Sequence, residues 1–174
     1  SAVTIIRAIA PAIDPTFDNG GVRVFDGKDA GGRSLVGTNS GDTLSGLGGN
    51  DNLIGGQGFD TLLGGDGNDT FFITSATDLV AGKTLSGGSG TDTLLVSGSS
   101  INTLISAKLT IETMERFDLS GGADAGVNIS MFAADLEAFS TITGDGTSDL
   151  IAAFLGNYTL SSSSTLTNIE RILL

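Results

Sequence analysis

The sequence predicts an all-β fold built from short stacked strands. Residues 37–72 are four tandem nonapeptides, GTNSGDTLS, GLGGNDNLI, GGQGFDTLL and GGDGNDTFF. Each unit has an aspartate at its sixth position and a large apolar residue at its eighth. The aspartates are Asp42, Asp51, Asp60 and Asp69, and the apolar residues are Leu44, Leu53, Leu62 and Phe71. Residues 96–174 are rich in Thr, Ile, Leu and Val between Gly, Ser and Asn, which also favours short strands.

These nonapeptides resemble the calcium-binding repeat of the RTX family of secreted bacterial proteins, whose pattern is G-G-x-G-x-D-x-U-x. Four copies in phase make the resemblance specific. It implies a right-handed parallel β-roll over residues 37–95 that continues as a parallel β-helix through residues 96–174. It also implies that the bound ion is Ca²⁺.

The N-terminal segment, residues 1–36, is predicted to be a cap with a degenerate first rung. Val3–Ile6 and Val22–Phe25 are predicted to form short strands, with turn-forming residues between them. Arg33 occupies the aspartate position of the first rung, so we expect no complete calcium site there. A cap is expected because a stack of repeats otherwise exposes an open edge.

The nonapeptide phase extends beyond the four repeats. Residues 73–81 stay in phase without the glycines, and residues 87–95 restore the full motif after a five-residue slip. The residues at the aspartate and apolar positions are Asp78 and Val80 in the first unit, and Asp92 and Leu94 in the second. We therefore predict one widened turn over residues 82–86. A short helix is predicted over Met131–Phe139, with Ser130 as its N-cap.

The residues at the eighth position are predicted to point inward and to stack on two sheets. One stack is Leu44, Leu62 and Val80, and the other is Leu53, Phe71 and Leu94. The ninth positions should point outward, yet Ile54, Leu63 and Phe72 are apolar. Either the flanking segments cover these side chains, or they form a surface for self-association or for a partner.

Composition narrows the range of functions. The net charge of −12 argues against nucleic acid and anionic membranes as partners, and it favours a cation. The chain has no Cys and no His, which excludes disulfides, histidine-dependent triads and His-ligated zinc. No stretch reaches the ~20 apolar residues of a membrane span. We find no catalytic motif, and we expect a protein that is not an enzyme.

The repeat suits calcium for chemical reasons. Ca²⁺ takes six to eight oxygen ligands, and a Gly-rich turn can direct several main-chain carbonyls at one point. Stacked strands lie about 4.8 Å apart. Two bare carboxylates at that spacing repel by roughly 3 kcal/mol at an effective dielectric constant near 20. We therefore predict that residues 37–95 are largely disordered in chelator and fold when Ca²⁺ binds.

In the RTX β-roll two nonapeptides make one turn, so motifs eighteen residues apart stack. The family pattern, carried onto this sequence, gives each ion two carbonyls and one aspartate from each of two motifs. The first site would use Gly37, Asn39, Asp42, Gly56, Gly58 and Asp60, and the second Gly46, Gly48, Asp51, Gly65, Gly67 and Asp69. The third would use Gly55, Gln57, Asp60, Thr74, Ala76 and Asp78, and the fourth Gly64, Asp66, Asp69, Gly88, Gly90 and Asp92. Three or four ions are expected, although Thr38, Ser40 and Leu47 replace motif glycines, and the first site is the one expected to be weaker.

The resulting prediction is a calcium-binding extracellular structural module that folds on Ca²⁺ binding. By resemblance, it would leave the cell by type I secretion and support export, stability or surface assembly of a larger protein, such as a surface layer or an adhesin. An accessory module of a secreted protease, lipase or polysaccharide epimerase is the alternative. A module that binds cell-surface polysaccharide is the third possibility, although the chain has few aromatic and basic residues for that purpose.

Overall fold

The computed structural model describes residues 22–24, 32–97, 102–104, 109–119, 128–132, 138–144, 150–154, 165–167 and 171–173. Almost all regular structure in these residues is β-strand. The first eight strands are β1 (Val22–Val24), β2 (Ser34–Val36), β3 (Thr43–Gly48), β4 (Asn52–Ile54), β5 (Thr61–Asp66), β6 (Thr70–Ile73), β7 (Lys83–Ser89) and β8 (Thr93–Val96). The others are β9 (Asn102–Leu104), β10 (Leu109–Glu112), β11 (Arg116–Asp118), β12 (Asn128–Phe132), β13 (Thr141–Thr143), β14 (Leu150–Phe154), β15 (Thr165–Thr167) and β16 (Arg171–Leu173). One 3₁₀ turn, Ala76–Asp78, lies between β6 and β7.

All strand pairs of the described residues are parallel, so the predicted parallel architecture is confirmed. Strands β1, β3, β5, β7 and β10 form one sheet, and β2, β4, β6, β8, β11, β13 and β15 form the second. From β1 to β8 the chain alternates between these two sheets, which gives two strands per turn. A third sheet of β9, β12, β14 and β16 then begins. The two-sided roll thus continues into a β-helix with a third side.

The core lies between the sheets and follows the eighth positions of the repeats. Leu53 pairs with Phe71, and Phe71 pairs with Leu94, as predicted for the second stack. The stack is longer than the repeats, because Leu35 precedes it and Phe117 and Ile142 continue it. All of these side chains are buried. The ring of Phe117 also stacks on that of Phe139, with centroids 5.2 Å apart.

The other predicted stack is wrong at its last member. Leu62 pairs with Leu85, not with Val80. Residues 74–82 leave the sheet, because Ser75 and Asp78 form a capping box that closes the 3₁₀ turn. The in-phase unit predicted for 73–81 and the widened turn predicted for 82–86 are therefore both wrong in position, since β7 already begins at Lys83.

Three smaller predictions have mixed outcomes. The strand at Val22–Phe25 is found as β1, while Val3–Ile6 lies outside the described residues. The helix over Met131–Phe139 is wrong at its start, because β12 runs through Phe132. Among the ninth positions, Leu63 is 38% exposed, whereas Ile54 and Phe72 are partly buried.

Within the described ranges, no helix is long and apolar enough to cross a membrane.

Candidate metal centre

The residue just before each strand stacks with its counterparts on the turns above and below. Asp51, Asp69 and Asp92 directly precede β4, β6 and β8, and the parallel register places them next to one another. We call these three residues the aspartate edge. Asp42 and Asp60 stand in the same relation to the opposite sheet, and Lys83, the first residue of β7, takes the next position of that stack, because Thr43, Thr61 and Thr84 are paired. We call them the lysine edge.

On the aspartate edge, one carboxylate oxygen of each residue binds the main chain of the preceding turn. The N–H of Asp51 donates to Asp69 Oδ1 at 2.7 Å, and the N–H of Asp69 donates to Asp92 Oδ1 at 2.8 Å. The N–H of Arg33 likewise donates to Asp51 Oδ1 at 2.8 Å. Since the three aspartates are buried, these bonds fix the orientation of each carboxylate inside the roll.

The second oxygen of each carboxylate has no such partner. Asp51 Oδ2, Asp69 Oδ2 and Asp92 Oδ2 are buried and have no hydrogen-bond donor among the residues that the structure describes. Buried ionised oxygens without partners are costly, since they lose their hydration without replacement. The aspartate edge therefore presents three buried oxygens whose negative charge a bound cation would balance.

Main-chain carbonyls converge with these oxygens at the glycines. A Cβ added at Gly46 would lie closer than 3.0 Å to both Asp51 Oδ2 and Gly64 O. A Cβ added at Gly64 would meet Asp69 Oδ2 and Gly87 O in the same way. Each cradle thus contains a carboxylate oxygen of one turn and a carbonyl oxygen of the next. Only a residue without a side chain leaves this space open.

Burial controls the electrostatics of the edge. It raises the pKa of Asp51 and of Asp92 above the usual value for aspartate. It raises the pKa of Asp69 to about 6, and the charges of Asp51 and Asp92 on either side add to that rise. The hydrogen bond from the N–H of Asp51 lowers the pKa of Asp69, but by less than burial raises it. A cation in the stack would reverse the sign of these repulsions.

The available ligands fit calcium. Among the described residues, no three His, Cys, Asp or Glu side chains converge, so a site here depends on main-chain carbonyls beside the aspartates. Carboxylate and carbonyl oxygens are what the hard ion Ca²⁺ takes, at six to eight per ion. Zinc and copper prefer imidazole and thiolate, which this chain lacks. The donor set of the aspartate edge therefore favours calcium.

On the lysine edge, a lysine side chain balances the charge of a buried aspartate. The N–H of Asp42 donates to Asp60 Oδ1 at 2.8 Å, which repeats the pattern of the aspartate edge. Lys83 then stands on the next turn, and its Nζ lies 3.0 Å from Asp60 Oδ2. The same ammonium donates to Gly56 O at 2.6 Å. A buried lysine thus supplies the positive charge that the predicted third site assigned to Ca²⁺.

Asp78 does not stack on Asp60, so the pairing predicted for the third site is wrong. The carboxylate of Asp78 is used within its own loop, where Oδ2 accepts from Thr74 N–H and Ser75 N–H, both at 2.9 Å. The register is set instead by Leu85 on Leu62. Residues 74–81 have no glycines to open a carbonyl cradle around Asp78, and the capped turn provides the hydrogen bonds of its carboxylate instead.

The first predicted site is also partly closed. Asp42 Oδ2 accepts from Thr38 N–H at 2.6 Å and from Thr38 Oγ1 at 3.0 Å. Thr74 bonds Asp78 in the same way, with Oγ1 3.0 Å from Oδ2. A threonine four residues before the aspartate therefore satisfies the carboxylate locally. The structure brings together the carboxylates of the second and fourth predicted sites without such closure.

Comparison with protein families agrees with this geometry. The model of the RTX calcium-binding nonapeptide repeat matches residues 35–72, in four copies. Residues 35–72 are RTX repeats. RTX repeats bind Ca²⁺ and form a structural module, not a catalytic one. The match covers less than a quarter of the chain. No curated protein and no solved structure matches the chain.

An outer set of side chains supports the RTX turns on the aspartate edge. The N–H of Asn68 donates to Asn50 Oδ1, and the N–H of Thr91 donates to Asn68 Oδ1, both at 2.8 Å. These residues directly precede the stacked aspartates in sequence. Gly65 and Gly88 pair in the same turns, with φ of 113° and 111°. Leu47 holds that position one turn earlier with φ of 70°, a strained conformation for a side chain.

Sequence reasoning missed three residues of the stacks, although each leaves a signal. Lys83 lies nine residues before Asp92, and Leu85 likewise precedes Leu94 by nine, so the phase of the last RTX-like unit predicts both when read backwards. Glu115 follows Asp92 by 23 residues, which is also the step from Asp69 to Asp92. Reading the phase forward from Asp69 alone led to Asp78 instead.

Proposed function

We propose that this chain is an extracellular structural module of a secreted bacterial protein and that its roll folds when calcium binds. The observation that carries the proposal is the stack of buried Oδ2 atoms of Asp51, Asp69 and Asp92. Their burial without donors makes the roll unfavourable until a cation balances the charges. Calcium binding would therefore contribute directly to the free energy of folding.

Two ions fit the aspartate edge. One would lie between the turns of Asp51 and Asp69, where Gly64 O converges with Asp51 Oδ2, with further carbonyls drawn from Gly46, Gly48, Gly65 and Gly67. The other would lie between the turns of Asp69 and Asp92, where Gly87 O converges with Asp69 Oδ2, with further carbonyls drawn from Gly64, Asp66, Gly88 and Gly90. Asp69 would serve both ions, because it is the middle residue of the stack. This sharing makes Asp69 the most informative residue to change.

A calcium titration of the whole chain tests the proposal. Far-ultraviolet circular dichroism in chelator should show little β-structure, and Ca²⁺ should restore it in a saturable way. Mg²⁺ at the same concentration should not, since it demands a small octahedral site. A β-rich spectrum that is the same in chelator and in calcium would overturn the proposal.

A matched pair of variants links the response to the aspartate edge. Asp69→Asn keeps an oxygen that can accept the N–H of Asp51 but removes the charge, so it should need much more calcium to fold. Glu112→Gln removes one acidic charge from an exposed side chain at the end of β10 and should titrate like the parent chain. Equal calcium midpoints for the two variants would show that net acidity, and not the stack, controls folding.

The cellular role is the more specific part of the proposal. RTX repeats are typical of secreted bacterial proteins, which supports export to a medium rich in calcium. A module that is unfolded at low calcium and folded outside would help export and then stabilise its parent protein. Surface assembly is tested separately by light scattering, where an increase in particle mass on adding Ca²⁺ is expected for an assembly module and a constant mass for a stabilising one.

A further inference from the structure

Glu115 continues the aspartate edge one turn beyond the last nonapeptide. Arg116 pairs with Thr93, so Glu115 stands next to Asp92 as Asp92 stands next to Asp69. The bonding pattern is the same. The N–H of Asp92 donates to Glu115 Oε2 at 2.8 Å, as the N–H of Asp69 donates to Asp92 Oδ1 at 2.8 Å.

The second oxygen of Asp92 points at this additional turn. Asp92 is 0% exposed, and its Oδ2 has no hydrogen-bond donor among the described residues. A Cβ added at Gly87 would lie closer than 3.0 Å to both Asp92 Oδ2 and Thr113 O. The carbonyl of Thr113 therefore converges with Asp92 Oδ2 just as Gly87 O converges with Asp69 Oδ2 at Gly64.

The turn that supplies Thr113 O is held in place by its own contacts. Thr113 has a φ of 50°, a left-handed conformation that residues with side chains rarely adopt. Its Oγ1 accepts the N–H of Gly88 at 2.8 Å, which ties this turn to the preceding glycine turn. Met114 beside it is buried in the core. The turn is thus fixed with its carbonyl beside the buried carboxylate.

We propose that Asp92, Thr113 and Glu115 form a further calcium site outside the repeat motif. Its oxygens would be Asp92 Oδ2, the Thr113 carbonyl and the Glu115 carboxylate, supplemented by carbonyls of the glycine turn at 87–90. The inference rests on the proposed function, because it assumes that the same edge binds calcium in its earlier turns. It adds an ion at the point where the two-sided roll meets the three-sided β-helix.

Counting bound ions tests this site. Native mass spectrometry of the whole chain at saturating Ca²⁺ should show one ion fewer for Glu115→Gln than for the parent. Glutamine keeps an oxygen that can accept the N–H of Asp92, so the variant removes the charge and leaves that hydrogen bond available. Glu112→Gln, three residues away and exposed, should bind the parental number of ions.

The outcomes separate this inference from the proposed function. Equal ion counts and equal calcium midpoints for the parent and Glu115→Gln would overturn the additional site while leaving the earlier sites intact. A parent chain that binds no calcium would overturn both.

A measurement on the unmodified chain covers the case in which Glu115→Gln does not fold. In the folded, calcium-saturated chain followed by ¹³C NMR, partial replacement of Ca²⁺ by a paramagnetic lanthanide ion should broaden the Glu115 side-chain carboxyl resonance much more than that of Glu112. Equal broadening of the two resonances would also overturn the site.

Discussion

Lys83 Nζ lies 3.0 Å from Asp60 Oδ2, and both side chains are buried. The lysine takes the position that an aspartate has on the two preceding turns of the same edge. Its ammonium also reaches a glycine carbonyl, so it contacts the two kinds of oxygen that a calcium ion would contact. One edge of the roll therefore contains its own cation, while the other has buried carboxylate oxygens with no donor among the described residues.

We expect Lys83→Met to destabilise the calcium-saturated chain strongly. The substitution leaves Asp60 buried and charged without a partner, and breaking a buried pair in this way costs about 3–5 kcal/mol. Chemical denaturation at a fixed, saturating calcium concentration measures the loss. The double variant Asp60→Asn with Lys83→Met should recover much of it, because no unpaired charge remains. A single variant as stable as the parent would contradict a structural role for the pair.

Asp69→Asn should have opposite effects with and without calcium. In chelator it should favour the folded state, because it removes the carboxylate whose pKa is raised by burial and by the charges of Asp51 and Asp92. With calcium it should weaken binding by roughly tenfold or more, which corresponds to about 1.4 kcal/mol. In chelator, folding is induced with a stabilising osmolyte and followed by circular dichroism, and a calcium titration gives the second sign. A variant that needs more osmolyte than the parent to fold in chelator would show that the carboxylate is not under repulsion.

The stability of the metal-free chain should fall as pH rises. The pKa of Asp69 is about 6 in the folded chain, against an ordinary value of 3.8. Between these values the folded state binds more protons than the unfolded state, so protonation stabilises the fold at low pH and the effect is lost as pH rises through 6. The concentration of a stabilising osmolyte needed to fold the chain in chelator should therefore be lower at pH 5 than at pH 7, which circular dichroism measures. Calcium affinity should change in the opposite direction, since protons compete with the ion.

Gly64→Ala should disturb the site without straining the backbone turn. The added Cβ would fill the cradle between Asp69 Oδ2 and Gly87 O, and forcing an atom into such a space costs typically 1–3 kcal/mol. We expect a higher calcium midpoint in the circular dichroism titration. Leu63→Ala changes the adjacent, partly exposed side chain and should shift the midpoint little. Equal shifts for both variants would contradict the cradle.

Much of the roll could be predicted from the nine-residue spacing, because each nonapeptide places one apolar residue in the interior. Leu53, Phe71 and Leu94 fall where that rule places them. The rule fails over residues 74–82, where Ser75 and Asp78 form local hydrogen bonds that compete with the sheet. A sequence period cannot reveal such competition, since Asp78 occupies the expected position for a different physical reason.

The two edges of the site also differ in how far the sequence predicts them. The aspartates of the repeats predict the stack of Asp51, Asp69 and Asp92, because a constant step brings like residues together. At the same stacked positions, Lys83 stands in place of an aspartate with the opposite charge, and Glu115 stands in place of one with a longer side chain. Their significance depends on which residue lies on the next turn, and that is decided by the register of the sheets.

Hydrogen bonds of both directions join each pair of neighbouring turns on the aspartate edge. The N–H of each aspartate is bound by a carboxylate from the turn on its C-terminal side. In return, the carbonyl of the aspartate accepts the N–H of the first strand residue on that same turn, as Asp51 O does from Thr70 and Asp69 O does from Thr93. The loss of a turn at either end therefore leaves both a donor and an acceptor of its neighbour without a partner. The roll is thus a stack coupled in both directions, in which each turn stabilises the one before it and the one after it.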